Sequence, residues 1–209
     1  QYHITTDSHH RFRKHKNLIE HLSIERPEQV WVSDITYIGT RENPIYLSLV
    51  TDAYSKKIMG YNVSNSLNAS GARSALSRAI KNRKYPNKVL IHHSDRGLQY
   101  CCDAYQNLLN ENKITCSMTE SYDPYQNAVA ERINGILKHE FILGITTYDL
   151  GLMIKLIDQS IYIYNNERPH WSCRMKTPSF MHKQRQIKIR NYKNKNSTET
   201  NPDAINILS

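Results

Sequence analysis

The chain has 209 residues, enough for one substantial domain with flanking segments, and its apolar (39%) and charged (22%) fractions are typical of a globular protein. It contains no run of about 18 apolar residues, so the sequence excludes a membrane-spanning helix. The net charge of +9 favours a polyanionic partner, and the first residue, Gln1, is compatible with a fragment of a longer protein.

The excess positive charge is concentrated in the two flanks. Residues 183–195 contain six Lys and Arg and no acid, whereas residues 1–26 contain five Lys and Arg against three acids. These flanks are either solubilising tails or arms that lie along DNA phosphates, and composition alone slightly favours the first interpretation.

The cysteines and histidines do not form a metal-binding pattern. Cys101 and Cys102 are adjacent and no C-x-x-C pair exists, so we expect reduced thiols in a cytosolic protein. The histidine cluster between His9 and His21 is not followed by a cysteine pair at zinc-finger spacing. The sequence therefore predicts no zinc site.

The predicted secondary structure begins after a polar, His-rich arm. Alternating or continuous apolar patterns predict five strands, at residues 30–38, 45–55, 57–64, 88–95 and 114–119. Four helices are predicted, at about residues 70–83, 103–112, 128–143 and 147–165. Asn68 or Ser70 is the expected cap of the first helix and Asp103 that of the second, and residues 165–180 are expected to be irregular.

The order of these elements predicts an α/β protein with a ribonuclease H-like fold. Three strands in quick succession form an antiparallel part, and the helix–strand–helix–strand order that follows adds two parallel strands. The result is a five-stranded mixed sheet flanked by helices, in which the first and fourth strands are neighbours.

This topology brings three acidic residues together. Asp34 lies on the first strand, Asp95 ends the fourth at its carboxyl edge, and Glu131 lies in the first turns of a later helix. Carboxylates are suitable ligands for two Mg²⁺ (or Mn²⁺) ions, about 4 Å apart, that promote displacement at a phosphodiester. The spacing therefore predicts a metal-dependent phosphoryl-transfer site. Asp52, which also lies on a predicted strand, is an alternative ligand or a turn former.

The helix that contains Glu131 carries a lysine on the same face. At about 100° per residue, Glu131 and Lys138 differ by only about 20° in direction, two turns apart. Both lie opposite the apolar set of this helix, Val129, Ile133, Ile136, Leu137 and Phe141. Lys138 could hold a phosphate beside the metal site, and the alternative is an ordinary polar outer face.

Two histidines come shortly before Asp95. Histidines at the end of a buried strand are more often part of the core edge than acid–base groups, and transfer to a metal-bound oxygen does not require them. We therefore expect His92 and His93 to be structural.

Four motifs, in this order and spacing, resemble the integrase-like catalytic domain of insertion-sequence transposases. They are WVSDITYI, HHSDRGLQY, NAVAERINGILKHE, and YNNERPH followed by KTPSF. The similarity is to the second-frame (OrfB-type) product of the D-D-E superfamily, whose core is similar to that of retroviral integrases, and it covers residues 27–181. Each motif alone is weak, but the four together are highly specific.

The resemblance implies a D-D-E catalytic centre in which Asp34, Asp95 and Glu131 hold the two Mg²⁺ (or Mn²⁺) ions. It also implies that Lys138 contacts the transposon end. Together with the basic tail, it predicts further DNA contacts at Arg96, Gln99, Tyr100, Asn127, Arg132, Lys183, Arg185, Lys188 and Arg190.

Two positions depart from the family pattern. The family usually carries Asp-Asn before the helix of the third acid, where this chain has Gln126-Asn127. Glu131 is followed by Arg132 rather than by Ser or Asn. All three catalytic acids are nevertheless present.

The implied function is Mg²⁺-dependent cleavage at transposon terminal inverted repeats and strand transfer by a 3′-OH. The expected partners are transposon-end and target double-stranded DNA, further copies of the chain on that DNA, and an upstream helix-turn-helix segment or first-frame product, with no membrane. A cytoplasmic, nucleoid-associated protein is expected. Its predicted parts are a basic, His-rich arm (1–28), an integrase-like catalytic core (29–181) and a basic, flexible tail (182–209).

Two other functions remain open from the sequence: a non-catalytic nucleic-acid-binding module that retains the fold, and a ribonuclease H-type nuclease. The intact triad argues against the first. The second type usually brings four acids, and it does not explain the basic tails or the R-P-H…T-P-S-F segment.

Overall fold

The computed structural model describes residues 14–38, 40, 42–120, 128–141 and 149–189. Its strands are β1 (Val30–Tyr37), β2 (Tyr46–Asp52), β3 (Ile58–Ser64), β4 (Ile91–Ser94) and β5 (Thr115–Met118). Its helices are α1 (Ala69–Lys81), α2 (Leu98–Cys101), α3 (Asp103–Glu111), α4 (Ala128–Glu140), α5 (Leu150–Asn166) and α6 (Pro178–His182), and a 3₁₀ helix spans Trp171–Cys173.

The five strands form one mixed sheet in the order β3-β2-β1-β4-β5. β1, β2 and β3 pair antiparallel, whereas β4 is parallel to both β1 and β5. The predicted ribonuclease H-like arrangement, with the first and fourth strands adjacent, is confirmed. Because Val32 pairs with His93 in parallel register, the residues that follow on the two strands lie at the same edge of the sheet.

Both faces of the sheet are covered by helices. On one face, Trp31, Ile35 and Val50 belong to a cluster that includes Leu76 of α1 and Leu109 of α3. On the other face, β2, α4 and α5 form a second cluster around Leu47, Leu49, Ile133, Leu137, Ile157 and Ile161. Because successive side chains on a strand point to opposite faces, Ile35 facing α1 directs the neighbouring Asp34 toward α4.

Helix α1 lies directly on β3 at Gly60. A Cβ at this position would be 2.1 Å from the carbonyl oxygen of Ala75 and 2.5 Å from the amide nitrogen of Ala79. The close approach of the helix backbone to the strand therefore requires a residue without a side chain.

The helices differ from the prediction at two places. The prediction that Asp103 caps α3 is wrong, because Cys102 occupies the cap position and Asp103 is the first helical residue. Helices α2 and α6 were not predicted, although α6 has clear sequence signals: Pro178 is its first residue, and the Thr177 hydroxyl accepts a hydrogen bond from the backbone of Phe180 at 3.3 Å.

Among the described residues, the structure contains no helix with the length and apolar character that a membrane span requires.

Strand β4 is shorter than predicted. It begins at Ile91 rather than at Lys88, because the amide of Lys88 donates a hydrogen bond to the carbonyl oxygen of Tyr85 in a turn. The carboxyl end of β4, which is the end relevant to the site, agrees with the prediction to within one residue.

Residues on both sides of the core pack against it. Glu28 accepts hydrogen bonds from the backbone amides of Lys84 and Tyr85, and the Tyr54 hydroxyl donates one to the carbonyl oxygen of Ile187. The division into arm, core and tail at residues 28 and 181 stays a prediction.

Candidate active site

Asp34 is half-buried on β1 and is held by two hydrogen bonds. Its Oδ1 accepts a bond from the amide of Ile35 at 2.9 Å, and its Oδ2 accepts one from Asn134 Nδ2 at 2.6 Å. The second bond connects the central strand of the sheet to α4. Because each carboxylate oxygen accepts one of these two bonds, together they fix the orientation of the Asp34 side chain.

Asp95 lies immediately after β4, beside Asp34. The parallel register that pairs Val32 with His93 leads, two residues later, to Asp34 and Asp95. The Asp95 Oδ1 accepts a hydrogen bond from the amide of Gly97 at 2.9 Å, which turns the chain sharply after the strand. The side chain is half-buried.

Glu131 is an exposed residue in the first turn of α4. The α4 helix is attached to β1 by the bond from Asn134 to Asp34, about one turn farther along, so Glu131 lies on the part of the helix near Asp34. Its negative charge acts on Asp34 through space. Asp34, Asp95 and Glu131, the three acids that the sequence predicts at one site, thus lie near enough for the charges of the other two to act on Asp34, and their catalytic role stays a prediction.

The electrostatics of Asp34 reflect this crowding. Its pKa is raised from 3.8 to about 7, mainly by burial and then by the negative charge of Asp95. The charge of Glu131 raises the pKa further, whereas the hydrogen bonds from Ile35 and Asn134 lower it. At neutral pH this group of carboxylates is therefore unfavourable unless a cation or a proton compensates it.

The residues of this site fit a hard divalent cation by their chemistry. Asp34, Asp95 and Glu131 offer only oxygen donors, and Asn134 adds a buried Oδ1 that has no hydrogen-bond partner among the described residues. Within those residues, however, no group of three or more His, Cys, Asp or Glu side chains is arranged as a finished metal site. The acids are thus near enough to influence one another but do not converge as a complete ligand set.

Lys138 lies on the same side of α4. Its side chain is half-buried, and its pKa is lowered by burial while the charge of Asp34 opposes that shift. Glu131, Asn134 and Lys138 are spaced three and four residues apart, so they follow one face of the helix. A cation next to the carboxylates is suited to holding a phosphate.

Asn134 is the residue of this site that the sequence analysis missed. It is 5% exposed, and its position three residues after Glu131 and four before Lys138 was the available signal. A neutral amide contributes neither to the apolar stripe of the helix nor to its charged face, so the helical pattern does not single it out.

The other predicted DNA contacts have different environments. Gln99 and Tyr100 are only 7% and 3% exposed, because α2 turns both side chains into the protein. Arg96 is half-buried, and Arg132 is exposed on α4. Lys183, Arg185 and Lys188 are exposed after α6, whereas Asn127 and Arg190, like Gln126, lie outside the described residues.

The alternative ligand Asp52 has a structural role. It is fully buried, and its carboxylate accepts hydrogen bonds from the amide of Glu28 at 2.7 Å and from the amide and hydroxyl of Ser55 at 2.7 and 2.6 Å. These contacts close the turn after β2. Of the two interpretations, the turn former agrees with the structure.

His92 and His93 are core residues, as expected. Both are fully buried, and burial lowers the pKa of His92 to about 3, so it is neutral at physiological pH. Its Nε2 lies 2.7 Å from Ser33 Oγ and 2.8 Å from the Tyr105 hydroxyl, while His93 Nδ1 lies 2.8 Å from Ser117 Oγ. These bonds connect neighbouring elements behind the site.

Two family models match most of the chain. Residues 24–124 and residues 112–178 each match an integrase core domain. The chain is 33% identical over 168 residues to the "Insertion element IS600 uncharacterized 31 kDa protein" of Shigella sonnei, covering 79% of this chain and 61% of that protein. It is 38% identical over 118 residues to the "Transposase for insertion sequence element IS629" of Shigella sonnei, and this match covers 56% of this chain and 39% of that protein. The chain thus spans about half the length of the curated relatives it matches.

Solved structures of retroviral integrases share the fold. The simian T-cell lymphotropic virus intasome, in complex with a PP2A regulatory subunit, contains a chain with a TM-score of 0.66 at 19% identity, covering 90% of this chain and 65% of that one. The HTLV-2 integrase catalytic core domain in complex with magnesium matches with a TM-score of 0.59 at 19% identity, and the match covers 75% of this chain and 97% of that one. The two family models, which together span residues 24–178, and the insertion-sequence relatives show that the chain belongs to the insertion-sequence transposases with an integrase-like core.

Proposed function

We propose that the chain is the catalytic domain of a DNA transposase that cleaves transposon ends and transfers the resulting 3′-OH to another phosphodiester. Asp34, Asp95 and Glu131 are its catalytic carboxylates. The observation that carries the proposal is geometric: the parallel register of β1 and β4 places Asp34 next to Asp95, and Asn134 joins the helix of Glu131 to Asp34, whose pKa the charges of both other acids raise. Crowded carboxylates destabilise a fold unless they serve a cation, so their conjunction supports a functional site.

The cofactor of this proposal is Mg²⁺ or Mn²⁺, with two ions held by Asp34, Asp95 and Glu131. When bound, such ions activate the attacking oxygen and neutralise the leaving one. The magnesium complex of the HTLV-2 core, which has the same fold, supports this choice.

The protein's own residues orient the reactants. Asn134 holds the Asp34 carboxylate at 2.6 Å, and the amide of Gly97 holds Asp95, so both acids are preorganised. Lys138 supplies a positive charge on the same side of α4, where we assign it a phosphate of the transposon end. Arg132, exposed one residue after Glu131, is assigned to the same DNA.

The proposed partners are transposon-end DNA, target DNA and further copies of the chain on that DNA. The transposase relatives support the first two, and the chain of the intasome, which shares the fold, supports the third. An upstream helix-turn-helix segment or first-frame product, and a nucleoid-associated location, are proposed from the family resemblance alone.

The test uses labelled DNA that carries the ends of the element encoding the chain, incubated with the chain or its full-length parent and Mn²⁺ or Mg²⁺. We expect nicked and joined products that disappear in Asp95→Asn. Asp103→Asn, an exposed acid on α3, is the matched control and should retain them. Products that persist in Asp95→Asn would exclude this catalytic centre.

A binding measurement and an RNA–DNA hybrid substrate, added to this experiment, separate the alternatives. Salt-dependent DNA binding without metal-dependent products would indicate a non-catalytic module, and cleavage of RNA in a hybrid would indicate a ribonuclease H-type nuclease. The transposase relatives do not favour either alternative.

A further inference from the structure

A buried polar cluster lies at the amino end of β1, away from the catalytic acids. Glu28 is fully buried and accepts hydrogen bonds from the amides of Lys84 and Tyr85 at 2.6 and 3.0 Å. His182, at the end of α6, lies with its Nε2 3.1 Å from Glu28 Oε1. Asp34 lies six positions after Glu28, which corresponds to at most about 20 Å along an extended chain.

This cluster holds together three segments that carry positive charge. The Glu28 segment brings Arg26, the turn after α1 brings Lys84, and the end of α6 brings Lys183 and Arg185. With Lys57, which precedes β3, they form what we call the basic patch: Arg26, Lys57, Lys84, Lys183 and Arg185.

Ring contacts show that Lys84 and Arg185 of this patch share one surface. The Arg185 guanidinium lies 5.0 Å and the Lys84 amine 5.6 Å from the centre of the Tyr85 ring. The Tyr85 hydroxyl donates a hydrogen bond to the carbonyl oxygen of His182 at 3.3 Å, immediately before Lys183. The segment after α6 is thus attached to the turn after α1.

The cations also influence one another electrostatically. Burial and then the charge of Lys183 lower the pKa of Lys57, and Lys84 acts in the same direction. Burial and then the charge of Arg185 lower the pKa of Arg26. Mutual repulsion of this kind favours an anionic partner.

The acids of this region offset the patch charges only in part: Asp52 and Glu28 act to raise the pKa of Lys57 and of Arg26, but the net shift of both stays downward. Glu28 and Asp52 are fully buried and bind Arg83, His182 and backbone amides. Among the described residues, no ion pair reaches the five patch cations. Lys84, Lys183 and Arg185 are exposed.

We propose that the basic patch binds the sugar-phosphate backbone of duplex DNA at a place separate from the catalytic carboxylates. A repetitive polyanion fits several cations on one folded surface better than a single small anion does. The inference rests on the proposed function for the identity of the polyanion. Duplex DNA bound at the basic patch, near the amino end of β1, leaves the region of Asp34 and Asp95 available for the reacting phosphodiester.

The test measures binding of the complete chain to a fluorescent duplex of random sequence, in EDTA, at roughly 50–200 mM salt. The double variant Lys84→Gln/Lys183→Gln removes two exposed charges whose side chains make no hydrogen bond or ion pair in the described structure. Each phosphate contact contributes about 0.9 to the slope of log K against log salt, so we expect the slope to fall by about 1.8 and the affinity to fall about 10-fold or more.

The matched control is Lys113→Gln/Lys155→Gln, which removes the same charge at exposed positions outside the patch. Equal slopes and affinities for the two double variants would overturn the proposal. A loss of binding to poly-glutamate with unchanged DNA binding would also overturn it, in favour of an acidic protein partner. Because the assay contains no divalent metal and no transposon end, a specific binding loss would stand even if end cleavage failed.

Discussion

The amide of Asn134 donates a 2.6 Å hydrogen bond to the carboxylate of Asp34, and this contact links α4 to the central strand of the sheet. Asn134 is almost completely buried, although it lies on the same helix face as the exposed Glu131. One neutral side chain thus connects the helix that carries the third acid to the first acid, beside the apolar packing of Ile133 and Leu137 on the sheet.

Replacing Asn134 is expected to impair catalysis more than folding. A hydrogen bond to a charged group contributes about 1.5–3 kcal/mol, so Asn134→Ala should lower the rate of metal-dependent end cleavage about 10- to 100-fold. Cleavage rates and thermal unfolding should be measured together. Asn107→Ala, an exposed amide on α3, is the control. Equal rates for the two variants would exclude a positioning role for Asn134.

The metal-free protein should become less stable as the pH rises from about 4 to about 7. The pKa of Asp34 is raised from 3.8 to about 7, so in this window the folded state retains a proton that the unfolded state has lost. The contribution is fully present below about pH 4 and is lost as the pH passes the folded-state pKa. Urea unfolding in EDTA at several pH values measures it.

Asp34→Asn tests this assignment. The variant should remove the pH dependence in that window and stabilise the metal-free protein at pH 8 by roughly 1–3 kcal/mol. The amide of Asn134 can rotate so that its unpartnered Oδ1 accepts a bond from the new amide. Mn²⁺ should stabilise the wild type but not the variant. A variant less stable than the wild type at pH 8 would contradict the electrostatic account.

The topology and the three acids were accessible from the sequence because strand patterns and chain order determine which strands are neighbours. The directions of individual side chains were less accessible. Gln99 and Tyr100 were expected at the DNA surface, but the four-residue α2, too short to show a periodic pattern, turns them inward.

The segment after α6 shows a second limit. Its many charges suggested a solvated tail, yet Ile187 and Ile189 pack against the cluster of Tyr54, Cys173 and Met181. Two isolated apolar residues in a charged segment do not reveal their partners, because these partners lie more than a hundred residues away or in neighbouring turns. Such contacts depend on the completed fold.

Two glycines offer an opposed pair of predictions. Gly60→Ala should destabilise the fold by about 3 kcal/mol or more, because its Cβ would overlap the backbone of α1 at Ala75. Gly135→Ala on α4 meets no atom within 4 Å and should stabilise the fold by about 0.5–1 kcal/mol through helix propensity. Urea unfolding measures both, and destabilisation of similar size in both variants would argue against the close packing of α1 on β3.

His182 provides the last prediction. Burial alone would lower its pKa, but the carboxylates of Asp52, 3.8 Å from Nδ1, and of Glu28, 3.1 Å from Nε2, outweigh burial and raise it. The stability that its charge contributes is therefore present below its ordinary pKa near 6.5 and is lost as the pH rises through the folded-state value. His182→Ala should cost about 2–4 kcal/mol at pH 6, since Glu28 stays buried with fewer partners, and the cost should shrink at higher pH. His21→Ala, an exposed histidine, is the control. A cost independent of pH would mean that His182 is neutral in the folded protein.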